Sequence, residues 1–277
     1  MTDIKRTDID RHATNLADVV YGNESLRFDD AGENWFEATK IYRDSMSWDA
    51  PGVGALLRSQ ALQKMSQRAG KRYTNRPVVR LPKAAETKAS FTDLLANRWS
   101  DDEFAPGPVS LDVVTAVLEA GYGVISRRDG LRRPVPSGGA LYPLDLYLLP
   151  RNVEGLEDVI YHYDPFRRLL VALGDFDDSE FLNSTLRADA LENMAFSVVV
   201  SATFWRSRFK YGPRAYRFAF LEAGHIMQNM LLMANAHGIG ARPYGGFIDD
   251  ELTDILIDQN GVDEAPIYML TAGRRVE

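Results

Sequence analysis

The sequence predicts an α+β domain, because strand-length apolar runs and helix-period segments are interspersed along its second two thirds. Three stretches carry that prediction. Phe196 to Phe204 holds Val198-Val199-Val200, the composition of a strand covered on both faces. Val159 to Tyr163 and Leu169 to Leu173 read as a hairpin turned by Asp164-Pro165. Tyr216 to His237 is a long helix, apolar most of the way round, as expected of an element packed at the centre of a dimer.

Residues 1 to 88 read as a separate N-terminal region, rich in charge and poor in sustained period. One amphipathic helix is predicted there, from about Gly54 to Ala69, with Leu56, Leu57, Leu62 and Met65 broadly on one face. Such a stripe favours docking over independent folding. From Lys64 to Lys83 there are seven basic residues and no acidic ones, which marks a solvated linker or a surface for an acidic peptide or partner. Pro77 and Pro82 interrupt helix, so the boundary is placed before Ser90, giving a second domain at 89–277. Ser90 and Asp93 make a capping-box-like start for a helix through about Asn97, and Ser110 caps another through about Glu119. Leu144 to Leu149 is a strand and Ser179 to Leu186 a helix. Gly238 ends the long helix, and a strand at Arg242 to Phe247, a helix at Glu251 to Ile257 and a strand at Ile267 to Thr271 complete the pattern.

Composition narrows the function. With 277 residues, 45% of them hydrophobic, the chain can bury a sizeable core in one domain plus an appendage, or in two small domains. A net charge of -7 argues against general nucleic-acid binding, because the phosphate backbone repels an acidic surface. The absence of cysteine excludes disulfides, thiolate metal sites and cysteine nucleophiles. His12, His162, His225 and His237 form no close helical pair, so no metal site is expected, and His225 reads as a hydrogen-bonded core or interface group. The first residues lack the apolar core of a signal peptide, which points to a cytoplasmic protein. Phe218 to Ile239 is long enough to cross a membrane, but Glu222, His225, Gln228, Asn229, Asn235 and His237 favour a buried helix instead. Gly238-Ile239-Gly240-Ala241-Arg242-Pro243 follows a helix and has proline where a dinucleotide fingerprint has its third glycine, so it is rejected as one.

The segment Arg132-Arg133-Pro134-Val135-Pro136-Ser137-Gly138-Gly139-Ala140-Leu141-Tyr142-Pro143 sets a small-residue turn between a basic pair and an apolar strand. Its glycines let backbone amides approach an aromatic ring or anion closely, and its prolines restrict the approach. Taken alone, it is equally an ordinary loop leading into a strand. Ser137 lacks the Gly-x-Ser-x-Gly elbow of a hydrolase nucleophile.

Three further segments accompany this turn in order: Phe209-Lys210-Tyr211 with Arg214-Ala215-Tyr216-Arg217, Leu221-Glu222-Ala223-Gly224 and Gln228-Asn229; Gly238-Ile239-Gly240 with Gly245-Gly246-Phe247; and Glu264-Ala265-Pro266. Together they resemble the SagB/McbC-type branch of the nitroreductase superfamily, whose members oxidise peptide azolines to azoles. The resemblance covers roughly residues 89 to 277.

It implies a nitroreductase-like fold, with a central mixed or antiparallel sheet flanked by helices, an N-terminal helical extension, and FMN held between the protomers of a homodimer. Arg98 and Ser100 match the family's phosphate-binding segment, but Trp99 and Asp102 replace its other arginines, so Arg133 or Arg274 is expected to compensate. Pro136, Ser137, Gly138 and Gly139 correspond to the loop that contacts the flavin ring, and Gly245 and Gly246 are expected to approach the other side of the ring system. Lys210 and Tyr211 correspond to the catalytic pair. Azole formation removes a hydride, which flavin takes, and a proton, which needs a base. Arg206, Arg208 and Arg214 crowd this pair with positive charge, which favours loss of a proton, and which member is the base stays open. The implied substrate is an azoline-containing precursor peptide, the implied partner a cyclodehydratase, and the implied final oxidant oxygen. Two alternatives stand beside this: an NAD(P)H-dependent nitro or quinone reductase on the same fold, and a flavin-binding scaffold subunit of a biosynthetic complex.

Overall fold

The computed structural model describes residues 31–43, 51–67, 70–127 and 130–276. The features expected at the extreme N-terminus, with His12, lie outside these residues, as do Arg68 and Ala69. The chain divides into two compact units, 1–41 and 42–277. In the first, helix α1 (Ala31–Ala38) ends where the Thr39 hydroxyl donates to the Trp35 carbonyl at 2.8 Å.

The second unit opens with α2 (Pro51–Arg58) and α3 (Gln60–Gln67). The single helix expected from Gly54 is broken at Ser59, whose hydroxyl accepts from the Leu62 amide at 3.3 Å and so starts a new helix. Leu56 is buried, whereas Leu62 and Met65 stay exposed. The basic stretch then delivers strand β1 (Val78–Arg80) to the edge of the main sheet, so the residues before the boundary expected at 88 are already part of that sheet. Helix α4 (Phe91–Ala96) is capped as anticipated, with Ser90 accepting from the Asp93 amide. A two-residue strand, β2 (Phe104–Ala105), precedes α5 (Leu111–Tyr122). Ser110 occupies the N-cap position of α5, but its hydroxyl turns to Asp112. The helix runs to Tyr122, past the predicted end at Glu119.

A small hairpin, β3 (Ile125–Arg127) and β4 (Gly130–Arg132), leads through the glycine turn to β5 (Leu144–Pro150). The predicted hairpin follows as β6 (Val159–Asp164) and β7 (Leu169–Asp175), with Asp164 accepting from the amides of Phe166 and Arg167 in its turn. Next come α6 (Asp178–Asn183), capped by Asp177, and β8 (Phe196–Thr203). Helix α7 (Trp205–Tyr211) stops at Gly212, whose φ of 53° suits glycine, and α8 (Ala215–Ala236) is the long helix. Strand β9 (Ile239–Tyr244), α9 (Asp249–Ile255) and β10 (Glu264–Arg275) finish the chain.

Strand β9 begins three residues before the expected Arg242, in a glycine-bearing stretch that propensity argues against. Its place is explained by packing: a Cβ on Gly240 would lie 3.1 Å from the Asp101 carboxyl carbon, and one on its strand neighbour Gly273 would lie 3.1 Å from Phe104. Glycine is what lets the segment around β2 cross here.

The sheet runs β1-β7-β6-β5-β8-β10-β2, with β9 also on β10, and every pairing is antiparallel. Strand β5 is buried along its whole length. Leu144, Leu146 and Leu148 face a core that includes Val117 and Leu118 of α5 with Ile226 and Met230 of α8, while Tyr147 and Leu149 face a second core with Phe181, Leu252 and Leu256. Helices therefore cover both faces, which gives the alternating strand its unbroken burial. Among the described residues no helix is long and apolar enough to cross a membrane.

Candidate functional site

The turn between β4 and β5 is sharply bent. Gly139, Ala140 and Tyr142 have φ of 64°, 55° and 48°, and the Tyr142 amide donates to the Ser137 hydroxyl oxygen at 2.9 Å. Two non-glycine residues in the left-handed region within so short a span are a local cost that surrounding contacts sustain. Gly138 packs against Phe218 of α8, where a Cβ would come within 3.1 Å of the ring. At Gly139 a Cβ would lie 2.5 Å from both the Lys210 ammonium nitrogen and the Tyr211 hydroxyl. The fold thus brings the Ser137-Gly138-Gly139 turn and the Lys210-Tyr211 pair to one place, although more than 70 positions separate them in sequence.

Lys210 and Tyr211 occupy the last turn of α7, beside the break at Gly212, and both are half-buried. The Lys210 nitrogen sits 4.9 Å from the centre of the Tyr211 ring. Helix α7 is held from two sides. Arg206 makes an ion pair of 2.6 Å with buried Asp145 of β5, and α2 packs so closely that a Cβ on Gly52 would overlap the Phe209 carbonyl oxygen at 2.2 Å. Asp145 also meets His162 Nε2 at 3.2 Å and accepts from the Thr203 hydroxyl at 3.3 Å. Burial pushes its carboxyl up, but Arg206, His162 and Lys71 together hold it well below the usual carboxylate range. Of the arginines expected to crowd Lys210, Arg206 is thus neutralised by Asp145 and Arg208 stacks on Trp205, 4.2 Å from the ring centre.

Beneath the turn lies a group that was not among the expected site residues. Glu222 of α8 is 2% exposed, and its Oε1 accepts from the Tyr122 hydroxyl at 2.6 Å. The Tyr122 oxygen in turn accepts from the Leu144 amide at 3.3 Å. Burial pushes the Glu222 carboxyl up to about 7, against the opposing pull of Ser137, Tyr122 and Arg133. Arg133 is buried, donates to the Tyr122 carbonyl at 2.8 Å and lies 3.9 Å from the centre of its ring, so it is committed here and is not a spare cation for phosphate. Two signals were available, a lone acid in the apolar run from Phe218 to Ile239 and its place in the Leu221-Glu222-Ala223-Gly224 segment. The extra turn of α5, which puts Tyr122 in the site, left no such trace.

Apart from Pro136, the remaining predicted residues lie elsewhere, with Arg274 opposite Ile239 at one end of the β9–β10 ladder and Gly245 and Gly246 beyond Tyr244 at the other. Arg98 is half-buried and Ser100 exposed. Arg274 is exposed and lies across Gly107, where a Cβ would sit 2.6 Å from its side chain. The acids that threaten an anion in this segment are largely offset. Asp101 accepts from Arg275 at 3.0 Å and from the Ala241 amide at 2.9 Å, and Asp102 pairs with Arg242. Trp99 stacks on the Arg275 guanidinium, 4.6 Å from the ring centre. Gly245 is exposed with open space where a Cβ would stand, and Gly246 rests near Leu186 and Tyr244. Pro136 is exposed at the mouth of the turn.

These features define an α+β protein with an antiparallel sheet, whose polar chemistry lies at a glycine turn and along the β9–β10 ladder. A family model described as the nitroreductase family matches residues 95–274, and the chain belongs to that family, in its SagB/McbC-type branch. It is 33% identical over 204 residues to a protein of Methanocaldococcus jannaschii named as a nitroreductase, covering 72% of this chain and 97% of that one. It is also 33% identical over 146 residues to the microcin B17-processing protein McbC of Escherichia coli, covering 50% of this chain and 53% of that one, so it spans about half of McbC. Among solved structures, a chain of the E. coli microcin synthetase McbBCD complex with truncated pro-MccB17 bound shares the fold, with a TM-score of 0.57 and 23% identity over 88% of this chain and 87% of that chain.

Proposed function

We propose that this protein is an FMN-dependent oxidase of thiazoline or oxazoline rings in a ribosomally made precursor peptide, converting them to thiazole or oxazole. The observation that carries the reading is the meeting of Lys210 and Tyr211 at Gly139, which sets a proton-handling pair against a turn suited to a flat ring. The likeness to McbC, a microcin-processing protein, supports the substrate class.

The residues fit FMN. The missing Cβ at 138 and 139 keeps the backbone of the turn bare while Phe218, Lys210 and Tyr211 close on it, and Arg98, Ser100 and Arg274 are the partly exposed cationic and hydroxyl groups a phosphate would use. When bound, FMN supplies the hydride acceptor. Lys210 and Tyr211 take the proton lost from the neighbouring ring carbon, held in place by α7, whose other residues fix it to β5 and α2. The turn set and the phosphate set lie at different strands of one sheet, and a homodimer in which each protomer lends one set would complete two sites. The N-terminal region to about residue 88 grips peptide or a cyclodehydratase partner, its basic stretch meeting acidic surface.

The test is an azoline-bearing peptide incubated with the purified yellow protein, with mass spectrometry following the loss of two hydrogens per ring. Lys210→Ala and Tyr211→Phe are each expected to slow that loss by about a hundredfold or more while FMN content holds, the usual worth of a positioned acid or base. Turnover at the wild-type rate in both variants would refute the assignment. The match along almost the whole methanogen protein named as a nitroreductase favours a second reading, an NAD(P)H-dependent reductase. Rapid bleaching of the flavin by NAD(P)H without peptide would select it.

A further inference from the structure

Glu222 takes no part in the proton transfer proposed above, yet it lies buried directly under the turn. The hydrogen-bonding inventory around it is short. A serine oxygen can accept two hydrogen bonds and donate one. At Ser137 one acceptor position is taken by the Tyr142 amide at 2.9 Å. On the carboxyl, Oε1 is taken by the Tyr122 hydroxyl at 2.6 Å and Oε2 is buried with no hydrogen-bond partner, while the Ser137 hydroxyl lies near enough to the carboxyl to favour its ionised form.

Two arrangements satisfy these atoms. A protonated carboxyl carries its hydrogen on Oε2 and donates to Ser137, filling the second acceptor position and leaving the serine proton free to point at a ligand. An ionised carboxylate is acceptor-only and draws the serine proton inward. We infer that Glu222 is a positioning residue, a proton-operated switch that decides whether Ser137 offers its hydroxyl to the ligand on the turn or turns it towards the helix. The inference rests on the FMN reading and adds to it the control of one of its contacts.

The groups facing Glu222 are consistent with a switch in the neutral range. From α5 comes Tyr122, whose hydroxyl is raised well above its ordinary range, first by burial and then by Glu222 itself, and so stays a donor. From the segment before the turn comes the Arg133 guanidinium, which favours the ionised acid but is shared with the Tyr122 ring and carbonyl. Lys210 and Tyr211 reach the same turn from α7 on the Gly139 side. Burial outweighs these pulls and leaves the carboxyl at about 7.

The experiment is FMN affinity, read by flavin fluorescence from about pH 5.5 to about pH 8.5, for full-length wild type, Glu222→Gln and Ser137→Ala stripped of cofactor. In Glu222→Gln the amide oxygen still accepts from Tyr122 and its NH2 donates to Ser137, fixing the ligand-facing state. Its affinity is expected to equal wild type at the acid end and exceed it roughly 3- to 10-fold at the alkaline end, the worth of one hydrogen bond. Ser137→Ala is expected to bind about 3- to 10-fold more weakly than wild type at the acid end and to converge with it at the alkaline end. Ionisation of the FMN phosphate is common to all three proteins and cancels in these ratios. Ratios that stay constant with pH would overturn the inference and leave the FMN reading standing. No FMN uptake by any of the three at any pH would overturn both.

Discussion

At Gly139 the backbone and two side chains compete for the same space. Its φ of 64° and the 2.5 Å approach of Lys210 and Tyr211 to the position of a Cβ leave no room for even a methyl group. Gly139→Ala should therefore push both side chains off the turn and place an L residue in the left-handed region, at about 1–2 kcal/mol. The expected result is a folded protein by circular dichroism whose FMN content and peptide oxidation both fall at least about tenfold. Wild-type FMN content and turnover in this variant would show that the meeting point is not where the ligand lies. This glycine and the Lys210-Tyr211 pair were legible in the sequence because each sits in a short, ordered motif. The roles of Glu222, although it too sits in such a motif, and of Tyr122 were not, since they arise from two helices crossing the same strand, and neither helix announces the other's register. Arg133 was misread for a related reason: a basic residue beside a turn looks available until the fold stacks it on a tyrosine.

Helix α7 has only seven residues and carries Lys210 and Tyr211 at its end, so its own hydrogen bonds cannot fix it. The Arg206–Asp145 ion pair ties its first turn to β5, and Gly52 of α2 clamps its far side. Arg206→Met keeps an unbranched apolar stem and removes the guanidinium, leaving the buried Asp145 carboxylate with His162, Thr203 and the more distant charge of Lys71. Loss of one member of a buried pair costs about 3 kcal/mol or more, so the urea midpoint should fall and the amides of α7 should exchange faster in deuterated water. The sign with pH follows from Asp145. Its folded carboxyl lies below the unfolded value, so the pair's contribution is present above about pH 4 and is lost as pH falls below that. The stability gap between wild type and Arg206→Met should accordingly narrow in acid; a gap that is constant from neutral pH downward would remove Asp145 as the anchor. At this scale strands with strong apolar runs, β5 to β8, were readable directly. The β9 register and the break between α2 and α3 were not, because they depend on a strand crossing and on one serine hydroxyl, features that periodicity averages away.

For the molecule as a whole, the decisive feature is that the predicted cofactor residues fall into two sets. The turn leads into β5, whereas Arg98 and Ser100 precede β2 and Arg274 lies on β10 opposite Ile239, with Gly245 and Gly246 beyond the other end of β9. Between these strands stands β8, so one chain offers the two sets from different parts of its sheet. Helix α8 supplies a route to joining them. It is buried on one side at Ala219, Ile226 and Met230, but on the other Leu221 is 62% exposed, next to exposed Gly224 and His225. Of the two readings of His225, its exposure removes the core group and leaves the interface group, and an apolar leucine beside a glycine is the kind of surface on which a second α8 can pack closely. If a homodimer forms through this face, Leu221→Glu would bury a charge in the contact and should release monomers, seen as a halved mass by light scattering. The same monomers should lose bound FMN, because neither would then hold both sets. Monomers that keep a full complement of FMN would show that a single chain builds the whole site, and a variant that stays dimeric would move the contact away from Leu221.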